Sequence, residues 1–247
     1  VGTPGSDPAE ALAAIPETGE IREGDRIDVV GAGGPMGTMH VIRNLCQGVA
    51  GIDVFGGDMS DERLAMLDEL SQPLAEKNGV GFTAYNAGSP PEGAFDYVAL
   101  MVPAPALVAA SVGRTTPGGV INIFAGIPIG VYHPVDLETY ARNQLYFIGT
   151  SGSTVDDMRI VLAKVTEGSL DTNLSVAAVS GLEGAVDGIR AVEAQSMPGK
   201  IIVYPFAKGL GLTPLSSLED THPEVAALLD SGHWTQAAEE KLRTLYA

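Results

Sequence analysis

The sequence predicts an α/β fold: a doubly wound parallel sheet of six strands, followed by a returning α+β segment and a helical tail. Three observations carry the prediction. Strand-like and helix-like segments alternate at short spacing from Arg26 onward, a glycine-rich turn joins the first strand to the first helix, and the chain beyond Pro205 becomes acidic and amphipathic.

Arg26 to Val30 is a short apolar strand, and Met36 to Gln47 repeats apolar residues at helical spacing through Met36, Met39, His40 and Leu45. Ile52 to Phe55 returns as a strand. Ser60 is an N-cap candidate followed by Asp61 and Glu62, opening an amphipathic helix (Leu64, Leu67, Leu70, Leu74) that runs to about Lys77 and closes at Gly79. Val80 to Tyr85, Phe95 to Val102, Gly119 to Ala125 and Leu145 to Gly149 supply four further strands, with Ala104 to Arg114 as a crossover helix. Thr154 to Glu167 is a helix ending at Gly168. Strands at Leu174 to Val179 and Lys200 to Tyr204 flank a helix from Leu182 to Ala194. Pro205 to Pro214 is a Gly/Pro connection, and short helices begin at Pro223 and Thr235.

Four stretches follow: an arm or linker over residues 1–24, a dinucleotide-binding domain over 25–151, a returning segment over 152–205 and a helical extension over 206–247.

The turn Gly31-Ala32-Gly33-Gly34-Pro35-Met36-Gly37 carries the chemistry. A strand feeding a helix through glycines lets the backbone approach a diphosphate closely, and the helix N-terminus presents unpaired N–H groups at its positive end. Pro35 fits the first helical position, whose N–H has no partner to lose. The spacing is irregular for GxGxxG. Read from Gly31 the third glycine comes one residue late; read to Gly37, the register preferred here, Ala32 replaces the glycine of the tight turn. Asp58 lies roughly twenty residues beyond the turn, just past the second strand, where a carboxylate takes the adenosine ribose hydroxyls. A carboxylate there repels a 2′-phosphate, so the cofactor read from these residues is NAD in preference to NADP. Arg63, the nearest cation, sits a turn into the following helix and joins the candidate cofactor-binding residues. Gly56-Gly57 lengthens the loop after the strand and leaves Asp53 as a second acidic candidate.

Composition narrows the partners. The chain has 31 acidic against 14 basic residues and a formal charge of −17, which opposes binding to nucleic acid or anionic lipid. The apolar run Val98 to Val112 is broken by prolines and too short to span a bilayer, so a soluble, cytoplasmic protein is expected. The single cysteine, Cys46, excludes an internal disulfide and a thiolate cluster. No histidine pair has metal-ligand spacing, so no metal site is expected within the chain.

Taken in order, Val29 to Gly37, Asp58 to Leu64, Phe95-Asp96-Tyr97-Val98, Pro117-Gly118-Gly119 and Gly199-Lys200-Ile201-Ile202 resemble the zinc-type medium-chain dehydrogenase/reductase family, over about Arg26 to Pro205. Within it, Gly-Pro-Met-Gly followed by Met39-His40 is most similar to the sorbitol dehydrogenase and L-sorbose 1-phosphate reductase branch. The resemblance implies a Rossmann-type domain of an NAD-dependent oxidoreductase acting on a small-molecule alcohol, polyol or sugar phosphate. It also implies that Val102 and Phe124-Ala125-Gly126-Ile127 line the nicotinamide, that Thr150-Ser151 lies near its amide, and that homo-oligomers form through the sheet edge near Ile127 to Tyr146. In that family the catalytic zinc belongs to an N-terminal domain whose Gly-His-Glu triplet and cysteine lobe have no counterpart here. The catalytic residues are therefore unassigned, and the chain is read as a piece of a longer enzyme in preference to a natural short protein. The returning segment from Leu174 to Tyr204 would then leave its apolar face without a partner.

Two alternatives remain at this stage. Asn86-Ala87-Gly88 and Tyr204-x-x-x-Lys208 echo the short-chain dehydrogenases, but Pro205 disfavours the helix that would bring tyrosine and lysine together. The second is a non-catalytic NAD(H)-binding module acting as a redox sensor or assembly domain.

Overall fold

The computed structural model describes residues 21–149, 154–194 and 196–246. Two compact units divide the chain: Val1–Ala32 with His40–Ile160, and Gly33–Met39 with Val161–Ala247.

The first unit is built on a sheet of six parallel strands in the order β3-β2-β1-β4-β5-β6. These are β1 (Arg26–Val30), β2 (Asp53–Asp58), β3 (Gly81–Asn86), β4 (Phe95–Leu100), β5 (Thr115–Ile123) and β6 (Tyr146–Ile148). Parallel strands need crossovers, and these residues supply them as α1 (Pro35–Leu45), α2 (Asp61–Asn78), α3 (Pro105–Val112) and α4 (Leu137–Arg142). On one face Ile27, Val29, Ile52 and Val54 pack beneath Val41 and Leu45 of α1 and Leu67 and Ala75 of α2. On the other, Val30, Val98, Leu100 and Ile121 pack against Val108 and Val112 of α3. The predicted doubly wound sheet is the observed one.

Local chemistry sets several boundaries. The Ser60 hydroxyl accepts from the Arg63 N–H at the start of α2, and Gly79 ends the helix in the left-handed region at φ 66°. The strand expected over Ile52 to Phe55 continues through Gly56 and Gly57 to Asp58, so no long loop follows it. Both glycines belong in the strand because of what faces them. A side chain at 56 would press on Leu67 and Ala32, and one at 57 would collide with the ring of Tyr85. α4 is an element the apolar pattern did not predict; Asp136 caps it by accepting from the Thr139 N–H at 3.0 Å.

The second unit holds a sheet in the order β8-β7-β9, formed by β7 (Val176–Ser180), β8 (Lys200–Val203) and β9 (Thr213–Pro214). β9 lies inside the expected Gly/Pro connection and runs antiparallel to β7. The helix expected from Leu182 opens as a 3₁₀ turn over Leu182–Gly184 before α6 (Ala185–Glu193), which follows α5 (Val155–Thr166). The tail forms α7 (Leu218–Thr221), α8 (Pro223–Ala226) and α9 (Gln236–Leu245). Trp234, Leu218, Val225 and Leu242 from this tail pack with Val176 and Val179 of β7 around a single core. Leu182, Val186, Ile189 and Val192 form a stripe in which every side chain is more than half exposed.

One polar cluster crosses the first unit's sheet. Asp28, fully buried in the middle of β1, accepts a 2.8 Å hydrogen bond from the Tyr85 hydroxyl, and the Arg114 guanidinium lies 3.2 Å from its other oxygen. Burial raises the Asp28 carboxyl above its ordinary range, with Tyr85, Arg114 and Arg26 pulling the other way. It raises the Tyr85 phenol as well, reinforced by the neighbouring carboxylate. A carboxyl that ionises at higher pH folded than unfolded contributes stability that is complete below its ordinary value of 3.8 and is lost as pH rises through the folded value. Asp28→Asn cannot suffer that loss. Its Tm relative to the parent chain should therefore climb as pH rises above the ordinary carboxyl value of 3.8 in thermal melts, and a pH-independent difference would contradict the cluster's role.

Candidate functional site

The strand order reverses between β1 and β4, and in open α/β sheets a crevice opens at the C-terminal ends of the strands at such a point. Gly31 follows β1 there. It adopts φ 86°, and a side chain on it would run into Cγ2 of Val102, which follows β4. The Gly57 carbonyl accepts from the N–H groups of both Gly31 (2.8 Å) and Ala32 (2.9 Å), pinning the turn to the adjoining strand. The left-handed conformation thus falls on Gly31, while Ala32 is fully buried with its methyl against the open side of Gly56. The demand for a glycine at the tight turn is met at Gly31, one residue before the position the preferred register chose.

Pro35 is the first residue of α1, as its missing N–H predicts, and the Thr38 N–H closes a helical bond to the Gly34 carbonyl at 2.9 Å. Gly33, Gly37 and Thr38 are buried, whereas Met36 is exposed. In the same unit, Lys200 of β8 places its ammonium 3.0 Å from the Met36 sulfur, and partial burial lowers its pKa. Sequence reasoning used Gly199-Lys200 only as part of a family pattern. The signal available was a cation at the start of a strand in an acidic chain.

Asp58 closes β2 at the C-terminal edge, nearly buried, while Asp53 opens the same strand at the opposite edge. One Asp58 oxygen accepts from the Ser60 N–H at 3.0 Å and pairs with the Arg63 guanidinium at 2.7 Å. Arg63 therefore reaches back from the first turn of α2 to the carboxylate, a pairing that chain order alone did not announce.

At the ends of β4 and β5 the Met101 N–H donates to the Val30 carbonyl (2.9 Å) and the Ala125 N–H to the Leu100 carbonyl (3.0 Å). Val102 and Gly126 are exposed, Ala125 and Ile127 half-buried, and a Cβ on Gly126 would meet nothing within 4 Å. Gly31, Asp58, Val102, Ala125, Gly126 and Ile127 thus share one edge of the sheet. Thr150 and Ser151 lie outside the described residues. The His40 ring meets Phe124 edge to face, with centroids 4.6 Å apart.

The remaining candidates have structural partners. Cys46 is buried, and the Asn78 side-chain amide donates to its sulfur at 4.0 Å. His222 shares a 2.8 Å hydrogen bond with the Tyr246 hydroxyl. Tyr204 is a core residue in a non-helical stretch, its phenol pushed up to about 12 by burial and by Glu239, which removes the tyrosine–lysine pair of the short-chain reading. Among the described residues no group of three or more His, Cys, Asp or Glu could hold a metal ion, so these residues do not fit a zinc centre. No helix among the described residues is long and apolar enough to cross a membrane.

Comparison with known proteins follows this geometry. No protein-family model matches the chain. L-sorbose 1-phosphate reductase from Klebsiella pneumoniae is 31% identical over 151 residues, covering 60% of this chain and 36% of that protein. The uncharacterized protein YggP from Escherichia coli (strain K12) is 26% identical over 90% of this chain and 57% of its own length. Among solved structures, 2R,3R-butanediol dehydrogenase from Bacillus subtilis superposes with a TM-score of 0.60 at 19% identity, covering 79% of this chain and 54% of that one. A protein described as a short chain alcohol dehydrogenase (rspB) from Escherichia coli CFT073, solved with NADH, gives a TM-score of 0.61 at 19% identity, over 78% of this chain and 56% of its own. The chain spans between about a third and little more than half the length of these proteins. The chain is similar to part of L-sorbose 1-phosphate reductase and shares its fold with solved alcohol and butanediol dehydrogenases.

Proposed function

We propose that the chain is the nicotinamide cofactor-binding part of an oxidoreductase, holding NAD(H) for hydride transfer to or from an alcohol, polyol or sugar phosphate. The observation that carries the reading is the Gly31 turn. At the reversal point of the sheet the backbone is stripped of side chains, pinned to Gly57 and led directly into a helix N-terminus, which is the construction an anionic diphosphate needs.

The other residues take roles along the same edge. Asp58 at the end of β2 accepts from the adenosine ribose hydroxyls, with Arg63 and the Ser60 N–H fixing its carboxylate. Val102, Ala125, Gly126 and Ile127 form an apolar floor for the nicotinamide and keep water from one side of it. When bound, the cofactor supplies or accepts the hydride. The chain's own contribution is binding and orientation, and the groups that polarise the substrate are assigned to a separate catalytic domain. The sugar-phosphate reductase relative supports the substrate class, and neighbours solved with NADH and with NADP support a nicotinamide cofactor.

Titrating the purified chain while following nicotinamide fluorescence tests the reading. NADH should bind below millimolar concentration and more tightly than NADPH. Absence of binding by either at millimolar levels rejects the cofactor role. Asp58→Gly, which removes the repelling carboxylate and leaves Arg63, should narrow the preference for NADH over NADPH about tenfold, equivalent to about 1.4 kcal/mol. A parent chain that already prefers NADPH would overturn the assignment of Asp58.

A further inference from the structure

We propose that His40 is a positioning residue for the nicotinamide-side loop Phe124 to Ile127, acting through the ring of Phe124; this rests on the cofactor reading above. His40 lies on α1 one turn beyond Gly37, so the glycine turn that sets the start of the helix also sets where this imidazole stands. Its ring meets that of Phe124, the first residue after β5, at a centroid distance of 4.6 Å and an interplanar angle of 67°. Edge-to-face geometry at that separation is attractive and directional, because the positive edge of one ring faces the negative face of the other.

The loop that Phe124 begins is tethered at three points. The Phe124 ring is held by His40, the Ala125 N–H is bound to the Leu100 carbonyl at 3.0 Å, and Ile127 packs on the core that includes Val30 and Leu100. Between the last two tethers sits Gly126, exposed and without a neighbour at its Cβ position. A loop with so free a residue at its centre keeps its shape through its tethers, and of the three only the His40 contact is made by a helix that begins at the diphosphate turn. His40 thereby ties the height of the nicotinamide floor to the helix on which the diphosphate would rest. The His40 carbonyl also accepts from the Asn44 side-chain amide at 2.8 Å, a helix contact that does not involve the imidazole.

Parallel titrations of the full chain with NADH and with ADP-ribose, which lacks only the nicotinamide, test the assignment. The parent should bind both. His40→Ala should weaken NADH between about threefold and tenfold, the range an aromatic pair supplies, while ADP-ribose affinity stays within about twofold and the blue shift of bound NADH emission shrinks. His40→Phe, which keeps the ring contact, should restore NADH binding. Phe124→Leu, made from the opposite side of the contact, should reproduce the His40→Ala pattern and keeps the test decisive if His40→Ala does not fold. The inference is overturned if ADP-ribose weakens together with NADH, which places His40 at the diphosphate or in the fold. It is overturned equally if NADH affinity is unchanged or if His40→Phe fails to rescue. A parent chain that binds neither ligand rejects the cofactor reading itself, an outcome separable from all of these.

Discussion

The backbone of Gly57 serves the edge and the interior of the first unit's sheet at once. Its carbonyl accepts the N–H groups of Gly31 and Ala32, which fixes the turn that leaves β1. Its missing side chain leaves the space that the Tyr85 ring occupies, and through that space the Tyr85 hydroxyl reaches Asp28 in the next strand but one. Any larger residue at 57 would displace Tyr85, deprive the buried Asp28 of its hydroxyl donor and disturb the strand that carries the acceptor for the turn. An unsatisfied buried carboxylate is expensive, so one glycine links the polar cluster inside the sheet to the geometry of its edge.

That linkage explains which features were legible in the sequence. The ends of α2 were readable because the signals are local: Ser60 bonds three residues ahead, and Gly79 supplies a conformation that other residues resist. Pro35 marked the start of α1 for the same reason. By contrast, Gly56-Gly57 suggests a loop when only neighbours in sequence are weighed. The pair stays in β2 because Leu67, Ala32 and Tyr85, distant in the chain, fill the space on either side. β9 was illegible for a related reason, since a two-residue strand holding a proline exists only through its antiparallel contact with β7.

The candidate site divides along the same line. The position of Asp58 followed from counting residues past the turn, and chain order put Arg63 nearby, yet the 2.7 Å pairing between them depends on how α2 leaves its cap. Spacing within the glycine motif does not reveal which residue must turn left-handed, and the structure puts that demand on Gly31 where the preferred register put it on Ala32. Contact with Val102 and hydrogen bonds to Gly57 decide that, and both partners lie on other strands.

The two ends of the sheet edge differ in kind, and the difference bears on what each can discriminate. At the β2 end, a nearly buried carboxylate is held by an arginine and a backbone N–H, so its position is set by charge-assisted bonds; in the proposed cofactor role it would choose between a neutral ribose and a phosphorylated one. At the β4 and β5 end the side chains are apolar, and discrimination there has to come from shape. Shape is only as good as the rigidity of the loop that provides it, and in the proposed role a floor with an exposed glycine at its centre would depend on the contacts of its flanks with His40 and Leu100. In the proposed role, an edge built this way would select its ligand by charge at one end and by tethered geometry at the other, with the turn at Gly31 fixing the distance between them.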